Sequence, residues 1–322
     1  MIISASRRTD IPAFYAKWFL NRLKAGFVYV RNPMNYHQIS SVKLSPENVD
    51  CIVFWTKDPQ QLMKYLDEID SMGYKYYFQF TITPYDKDVE KNVRDKKEIV
   101  QTFKNLSEIM GKEKVILRYD PIFITNQETG YTAGFHKDAF LKYVDELNAY
   151  TDRVVISFLD GYRKVAKNTL GLGIKEMNEE DMNEIANTFS EITKMYNLEL
   201  ETCAEKIDLA KYGISHTSCI DGNLIEKIIG YKIINKDNRD DNRENCGCMK
   251  CIDIGQYDSC IHNCLYCYAN INKEQAVKNN KSHNPDSSIL FGIAEPYSVK
   301  VRNERDTKSF KILNEQIELD IK

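Results

Sequence analysis

Apolar positions along the first two hundred residues fall into two alternating patterns. Short runs rich in β-branched and aromatic residues occur at Ile2–Ser6, Cys51–Thr56, Tyr76–Thr83, Val115–Arg118, Val154–Phe158 and Leu198–Thr202. Runs of that length and make-up predict strands. Between them the apolar positions recur at helical spacing. Asp10 is placed to cap a helix with Pro12 in its first turn, Phe14, Trp18 and Leu23 on one side, and Gly26 just past its end. Leu62, Leu66 and Ile69 precede Gly73, and Phe103, Leu106 and Met110 precede Gly111. Asp138–Leu147 and Glu180–Tyr196 supply two more helices. Strands that alternate with helices predict an α/β fold with parallel strands and crossover helices. Six such units predict a partial (β/α)6 barrel over residues 1–230. A flavodoxin-like open sheet is the competing architecture, but no Gly-rich phosphate loop supports it.

After residue 230 the periodicity stops. Asn235–Asn245 is polar and highly charged, which predicts an exposed connector. A cysteine-rich stretch, 246–270, follows, then a polar turn region at Asn279–Ser288. Residues 231–322 are thus expected to form a C-terminal cysteine-rich segment and a tail that packs along the outside or frays.

Composition narrows the class of protein. The 322 residues are 43% hydrophobic and 28% charged, the balance of a soluble globular chain. The first residues, Met1-Ile-Ile-Ser-Ala-Ser-Arg-Arg, do not read as a signal peptide, and no apolar run reaches membrane-spanning length. A cytoplasmic location is the expectation, with no membrane partner. Nine cysteines in such a reducing compartment point to metal or redox chemistry rather than to disulfides. A net charge of −3 gives no electrostatic case for a nucleic-acid partner.

In a parallel barrel, function gathers where strands end at their C-terminal edge. There the six predicted strands deliver Ser6, Arg7, Arg8, Thr9 and Asp10; Thr56, Lys57 and Asp58; Gln79, Thr81 and Thr83; Arg118 and Asp120; Ser157 and Asp160; and Glu201, Cys203 and Glu205. Polar groups facing a barrel interior need partners, because an unsatisfied one costs roughly 1–3 kcal/mol. The plain readings are that Asp10 only caps its helix, that Arg7 and Arg8 form surface ion pairs, and that Glu201 and Glu205 are structural. His262 reads as a loop residue, and His136 as solvated or structural.

The most specific signal is Cys260-Ile-His-Asn-Cys264-Leu-Tyr266-Cys267, a C-x3-C-x2-C run followed by Tyr268-Ala269-Asn270. Three thiolates on one short loop can hold three irons of a cubic 4Fe–4S cluster and leave the fourth iron open. Closely spaced cysteines also hold structural zinc, and three plain reduced thiols are the bland alternative. Four other cysteines, Cys203, Cys219, Cys246 and Cys248, are enough for a second iron–sulfur cluster or a zinc. Their bland reading is four buried reduced thiols. Cys51 lies within a predicted strand and reads as core.

The cysteine run resembles the signature of the radical S-adenosylmethionine (SAM) superfamily, although about four fifths of the chain precedes it. Further segments carry a second resemblance. They are Ile3-Ser-Ala-Ser-Arg7-Arg8-Thr9-Asp10-Ile-Pro, Phe54-Trp-Thr-Lys57-Asp-Pro, and Arg243-Glu-Asn-Cys246-Gly-Cys248 through Asp253-Ile-Gly255 to the triple cysteine. Together they resemble the bacterial family catalogued as domain of unknown function 1848, over most of the chain. Spore photoproduct lyase is a more distant relative in the style of its cysteine run. These resemblances imply a partial barrel, a 4Fe–4S cluster on Cys260, Cys264 and Cys267, and SAM at the open iron. They imply that Tyr266 lies against the adenine, and that an electron donor such as flavodoxin or ferredoxin reduces the cluster. The SAM carboxylate would suit Arg7, Arg8 or Arg118, and the reaction would draw on Lys57, Asp120 and Glu205. The family pattern makes Cys251 the least expected ligand. The substrate is not implied. A non-catalytic iron–sulfur or zinc protein that senses redox state is the reading of another class.

Overall fold

The computed structural model describes residues 1–126, 130–159, 163–234, 246–294, 299–301 and 308–311. Strand β1 (Ile2–Ala5) leads into α1 (Ile11–Phe14) and α2 (Ala16–Ala25). A hairpin of β2 (Phe27–Asn32) and β3 (Asn35–Lys43) intervenes before β4 (Cys51–Thr56). Helices α3 (Gln60–Met63) and α4 (Leu66–Ser71) connect to β5 (Tyr76–Thr81), and α5 (Lys96–Met110) connects to β6 (Val115–Ile122). The short β7 (Ile124–Thr125) and α6 (Ala133–Leu147) precede β8 (Arg153–Phe158). Helix α7 (Arg163–Thr169), β9 (Ile174–Lys175) and α8 (Glu179–Met195) lead to β10 (Glu199–Cys203). The described chain closes with β11 (Ser215–Thr217), α9 (Gly222–Ile229), β12 (Ile252–Asp253), α10 (Lys273–Lys281) and β13 (Val299–Val301).

Eight strands form one parallel sheet in the order β11-β10-β8-β6-β5-β4-β1-β12. From β1 to β11 its neighbours follow chain order with no reversal, unlike the switched order of doubly wound folds. The six predicted strands are all present, with ends shifted by up to four residues. The first helix is divided. Asp10 caps α1 by accepting from the Ala13 N–H, and Tyr15, at φ −131°, breaks the ladder before α2 begins. Gly26 ends α2 at φ 73°, a left-handed conformation that glycine adopts without a Cβ clash.

Among the described residues seven strands, β2, β3, β7, β9, β11, β12 and β13, were not among the six predicted. Strand β3 starts with three exposed residues, although Ile39 and Val42 are buried with Val28 and Val30 of β2. Arg31 lies at this hairpin, where it donates to the carbonyls of Tyr36 and Ile293. Strand β11 is three residues long and β12 two, too short to show a period. Strand β12 pairs with Ile3 and Ser4 of β1, so the cysteine-rich segment adds an edge strand to the main sheet. Asp160 and the connector 235–245 lie outside the described residues, as do 302–307 and 312–322.

Alternation along the strands divides the apolar side chains between two faces. One face sends Ile3, Ile52, Phe54, Phe78, Leu117, Val154 and Ile156 against the helices, forming the main core. Phe54 packs there against Phe19, Tyr76 and Phe78, with ring centres 5.3, 5.6 and 4.9 Å away. The opposite face presents Ile2, Val53, Tyr77, Ile116 and Val155 to α9 and to Cys219, Ile220, Cys248 and Met249. Nearer the C-terminal strand ends the same face turns polar: Gln79 and Arg118 are buried there, with Trp55, Asp120 and Ser157 beside them. The sheet thus has an apolar half and a polar half on one side.

His136 is wholly buried within the main core. Its Nδ1 accepts from the Tyr119 hydroxyl at 2.8 Å and its Nε2–H donates to the Phe123 carbonyl at 2.8 Å, an arrangement only the neutral ring satisfies. Burial pushes its pKa down from 6.5 to about 4, against the upward pull of the Phe123 carbonyl. Below pH 6.5 the unfolded chain binds a proton that the folded chain refuses. Acidification from 6.5 to about 4 should therefore remove about 3 kcal/mol of folding stability through this residue. Urea unfolding at stepped pH tests this: His136→Gln should show a flatter profile across that window, and an equally steep one would contradict the assignment.

Candidate metal centre at the C-terminal edge of the sheet

The loop carrying Cys260, Cys264 and Cys267 is folded over the ends of β1, β4 and β5. Asp10, just after β1, anchors it: one carboxylate oxygen accepts from His262 Nε2 at 2.8 Å and the Lys57 N–H at 2.7 Å. The other accepts from Thr56 Oγ1 at 2.7 Å and the Ala13 N–H at 3.0 Å. The cap and the anchor are therefore one group. The segment after β5 clasps the loop from the other side. Asn92 donates to the carbonyls of His262 and Ile261 at 3.0 and 2.8 Å, and the Leu265 N–H donates to the Val89 carbonyl at 2.9 Å. Glu90 and Cys264 pair as an antiparallel bridge.

Beneath Cys264 lies a buried charge cluster absent from the sequence-based expectations. Glu90, 1% exposed, accepts from Thr83 Oγ1 at 2.6 Å, Lys57 Nζ at 2.8 Å, the Tyr266 hydroxyl and Lys96 Nζ. Burial would raise its pKa, but Lys57 and Lys96 outweigh that and hold it near 2. Burial likewise opposes the charge on Lys57, yet Glu90, Cys264 and Asp120 raise its pKa. For Lys96 burial wins and the pKa falls. Tyr266 is 8% exposed, with Lys57 Nζ 5.6 Å from its ring centre and Tyr85 and Phe123 at 5.8 and 6.4 Å.

Arg7 and Arg8 flank a second buried carboxylate. Asp253 of β12 accepts from Ser4 Oγ at 2.9 Å, Ser6 Oγ at 2.6 Å and the N–H groups of Arg7 and Gly255 at 2.8 and 3.0 Å. The guanidinium Nε atoms of Arg7 and Arg8 stand 4.0 and 3.9 Å from it. Gly255 fits because a Cβ there would come within 2.1 Å of Ser6 Oγ. Cys251 receives an Arg7 N–H at 3.3 Å.

The remaining polar groups gather at β6, β8 and β10. Arg118, 5% exposed, donates two bonds to Asp120, one to Gln79 Oε1 at 3.3 Å and one to Cys219 Sγ at 2.9 Å. Burial opposes the Asp120 charge, but Arg118, Ser157 and Lys57 lower its pKa. Glu205 accepts from the Phe158 N–H at 2.9 Å. Cys219 Sγ lies 2.7 Å from Cys203 Sγ, and Cys248 hydrogen-bonds both Cys219 and Cys246. Lys57 joins the two halves, because both Cys264 and Asp120 act to raise its pKa.

The two thiol groups differ. Cys260, Cys264 and Cys267 influence one another electrostatically, yet no hydrogen bond links their sulfurs. Burial pushes all three thiols up. Buried thiols of that kind ionise when a cation arrives to hold them. The loop also leaves His262 Nδ1, Asn263 Oδ1 and Asn270 Oδ1 buried without hydrogen-bond partners. In donor chemistry, then, the loop suits a thiolate-ligated group. As placed, no set of three or more His, Cys, Asp or Glu side chains among the described residues could hold a metal ion, so loading would require the cysteines to turn toward a common centre. No helix is long and apolar enough to cross a membrane among the described residues.

Glu90 had no sequence signal, because a lone glutamate in a polar loop shows its chemistry only once Lys57, Lys96 and Tyr266 surround it. Asp253 was visible only as part of a motif. Glu90→Gln should cost about 3 kcal/mol of folding stability, since Lys57 and Lys96 would lose their shared counter-charge. Denaturant unfolding measures that difference, and a change below about 0.5 kcal/mol would show the cluster to be inert.

The model of a family described as "Domain of unknown function (DUF1848)" matches residues 2–269. No curated protein matches the chain. Among solved structures, one described as a "putative alpha-L-fucosidase" from Bacteroides thetaiotaomicron VPI-5482 is similar at 12% identity and a TM-score of 0.25. That likeness covers 51% of this chain and 67% of the other, and at such a score it carries no argument about fold or activity. The family match spans β1 through the triple-cysteine loop, and on that basis the chain belongs to the DUF1848 family.

Proposed function

We propose that this chain is a radical SAM enzyme built on a partial (β/α)6 barrel, with a 4Fe–4S cluster held by Cys260, Cys264 and Cys267. The observation that carries the reading is the position of the loop. It is clamped by Asp10, Asn92 and Val89 over the C-terminal strand ends, where an enzyme with parallel strands does its chemistry. When bound, such a cluster supplies one electron to SAM, whose reductive cleavage yields methionine and a 5′-deoxyadenosyl radical.

The chain's own residues have separable tasks. Asp10 and Asn92 fix the loop backbone. Lys57 keeps its proton through neutral pH and sets a positive charge beside Cys264, which offsets the charge of a thiolate ligand. Arg8 is the better partner for the SAM carboxylate. Its side chain keeps 22% exposure and stands 3.9 Å from Asp253, whereas Arg118 is engaged by Asp120 and Cys219. Tyr266 presents its ring beside Lys57 and ties its hydroxyl to Glu90, so it can brace the loop and border the adenine at once. A flavodoxin or ferredoxin would deliver the electron, and the substrate would enter over Lys57, Asp120 and Glu205.

Replacing Cys260, Cys264 or Cys267 by Ala should abolish reductive formation of 5′-deoxyadenosine after anaerobic reconstitution with iron, sulfide and SAM. Wild-type protein that takes up a reducible cluster yet never cleaves SAM would favour the non-catalytic redox or sensor reading. Tyr266→Phe should keep the cluster and lose about 2 kcal/mol of folding stability, the contribution of its bond to ionised Glu90. Tyr266→Ala should also weaken SAM binding by about 1–2 kcal/mol, read by calorimetric titration.

A further inference from the structure

We propose that Cys203, Cys219, Cys246 and Cys248 form a second metal site, a tetrahedral four-thiolate site for one divalent ion of the zinc class. Three separate stretches of chain bring these residues together. Cys203 ends β10, Cys219 lies between β11 and α9, and Cys246 and Cys248 lie on the segment that approaches β12. Cys219 and Cys248 belong to the apolar cluster on the sheet face, and Cys203 and Cys246 pack against it. A buried reduced cysteine ordinarily meets carbon. Here sulfur meets sulfur: Cys203 with Cys219, Cys219 with Cys248, and Cys248 with Cys246.

Spacing selects one ion over a second cluster. Sulfurs bound at about 2.3 Å to a tetrahedral ion stand about 3.8 Å apart. As placed, these four thiols form a hydrogen-bonded row and not a metal-holding group, so loading turns them toward one centre. The tightest pair, at 2.7 Å, needs to open by only about 1 Å, within reach of side-chain rotation. A cubic cluster puts iron and sulfide between its ligands and requires a wider set. The thiols of Cys260, Cys264 and Cys267 lack such mutual bonds.

The surroundings of Cys219 are those of a positioned ligand. Its carbonyl accepts from the Tyr77 hydroxyl at 2.6 Å and Gln79 Nε2 at 2.9 Å, which fixes the backbone. Its sulfur receives an Arg118 N–H at 2.9 Å, and Cys248 Sγ receives the Ile220 N–H at 3.4 Å. Four thiolates around a divalent ion carry a net charge of −2, and the buried Arg118 guanidinium offsets part of it. Partners behind the ligands hold metal sites in this way. The ion would tie the β10 edge, the entry to α9 and the approach to β12, so its binding energy would act as folding energy.

The site does not depend on the radical SAM reading, and metal analysis separates the two. Full-length protein purified anaerobically without added metal should contain one zinc per chain. That zinc should persist in the triple variant Cys260→Ala/Cys264→Ala/Cys267→Ala and be lost in Cys219→Ser and Cys248→Ser. Because the serine variants could fail to fold, cobalt(II) exchange into the wild-type chain gives a separate readout. It should produce the visible d–d bands and the sulfur-to-cobalt charge-transfer band of a tetrahedral thiolate site. Three results would overturn the proposal: four further irons per chain in place of zinc, no retained ion with all four thiols free to alkylation, or a Cys203–Cys219 disulfide found by mass spectrometry in protein kept anaerobic.

Discussion

One carboxylate organises this molecule. Asp10 accepts from Ala13, Thr56, Lys57 and His262, and so reaches the first helix, the end of β4 and the cysteine loop at once. The donors lie on three separate stretches of chain, and none could be exchanged for water, because the group is 6% exposed. A buried carboxylate that loses one of several donors is left with an unmet acceptor, at a cost of about 1–3 kcal/mol. The position of the cysteine loop over the strand ends therefore depends on the same group that starts the first helix.

Both thiol groups meet charge in the same way. Burial raises the pKa of Cys264, and at Cys219 the lowering pull of the bond with Cys203 is outweighed by the bond with Cys248 together with burial. The chain places a cation beside each, Lys57 for the first and Arg118 for the second. Each cation is in turn matched by a carboxylate, Glu90 or Asp120. The pairing keeps either region close to neutral while its sulfurs hold their protons, and it leaves a positive group in contact once they are given up. Cys246 stands apart: its bond with Cys248 outweighs burial and brings its pKa down to about 7.

What the sequence made legible follows from locality. The six strands with helices between them were readable because β-branched runs and helical spacing are local signals. Asp10 was readable as a cap, since a cap bonds within its own turn, but its bond to a histidine 252 residues away was not. His262 read as a loop residue because its partner lies at the far end of the chain. Cys203, Cys219, Cys246 and Cys248 were grouped by what remained after the others were assigned, and they lie along one row, with the Cys203 and Cys219 sulfurs 2.7 Å apart. Glu90 was silent for the same reason, and Asp253 showed only as part of a motif: each is an ordinary acidic residue until a distant segment folds onto it.

The pairing of β12 with β1 also bears on how the chain comes to be folded. Ile3 finds its outer neighbour only at Ile252, and Ser4 only at Asp253. During synthesis the outer edge of β1 therefore stays open until almost four fifths of the chain has left the ribosome. An unpaired parallel edge is a template for other strands. Contacts so far apart in sequence close slowly, because the loop entropy is lost before any bond is made. The nascent chain thus carries an open parallel edge at β1 throughout that time, and the segment that covers it is the one that brings the cysteines.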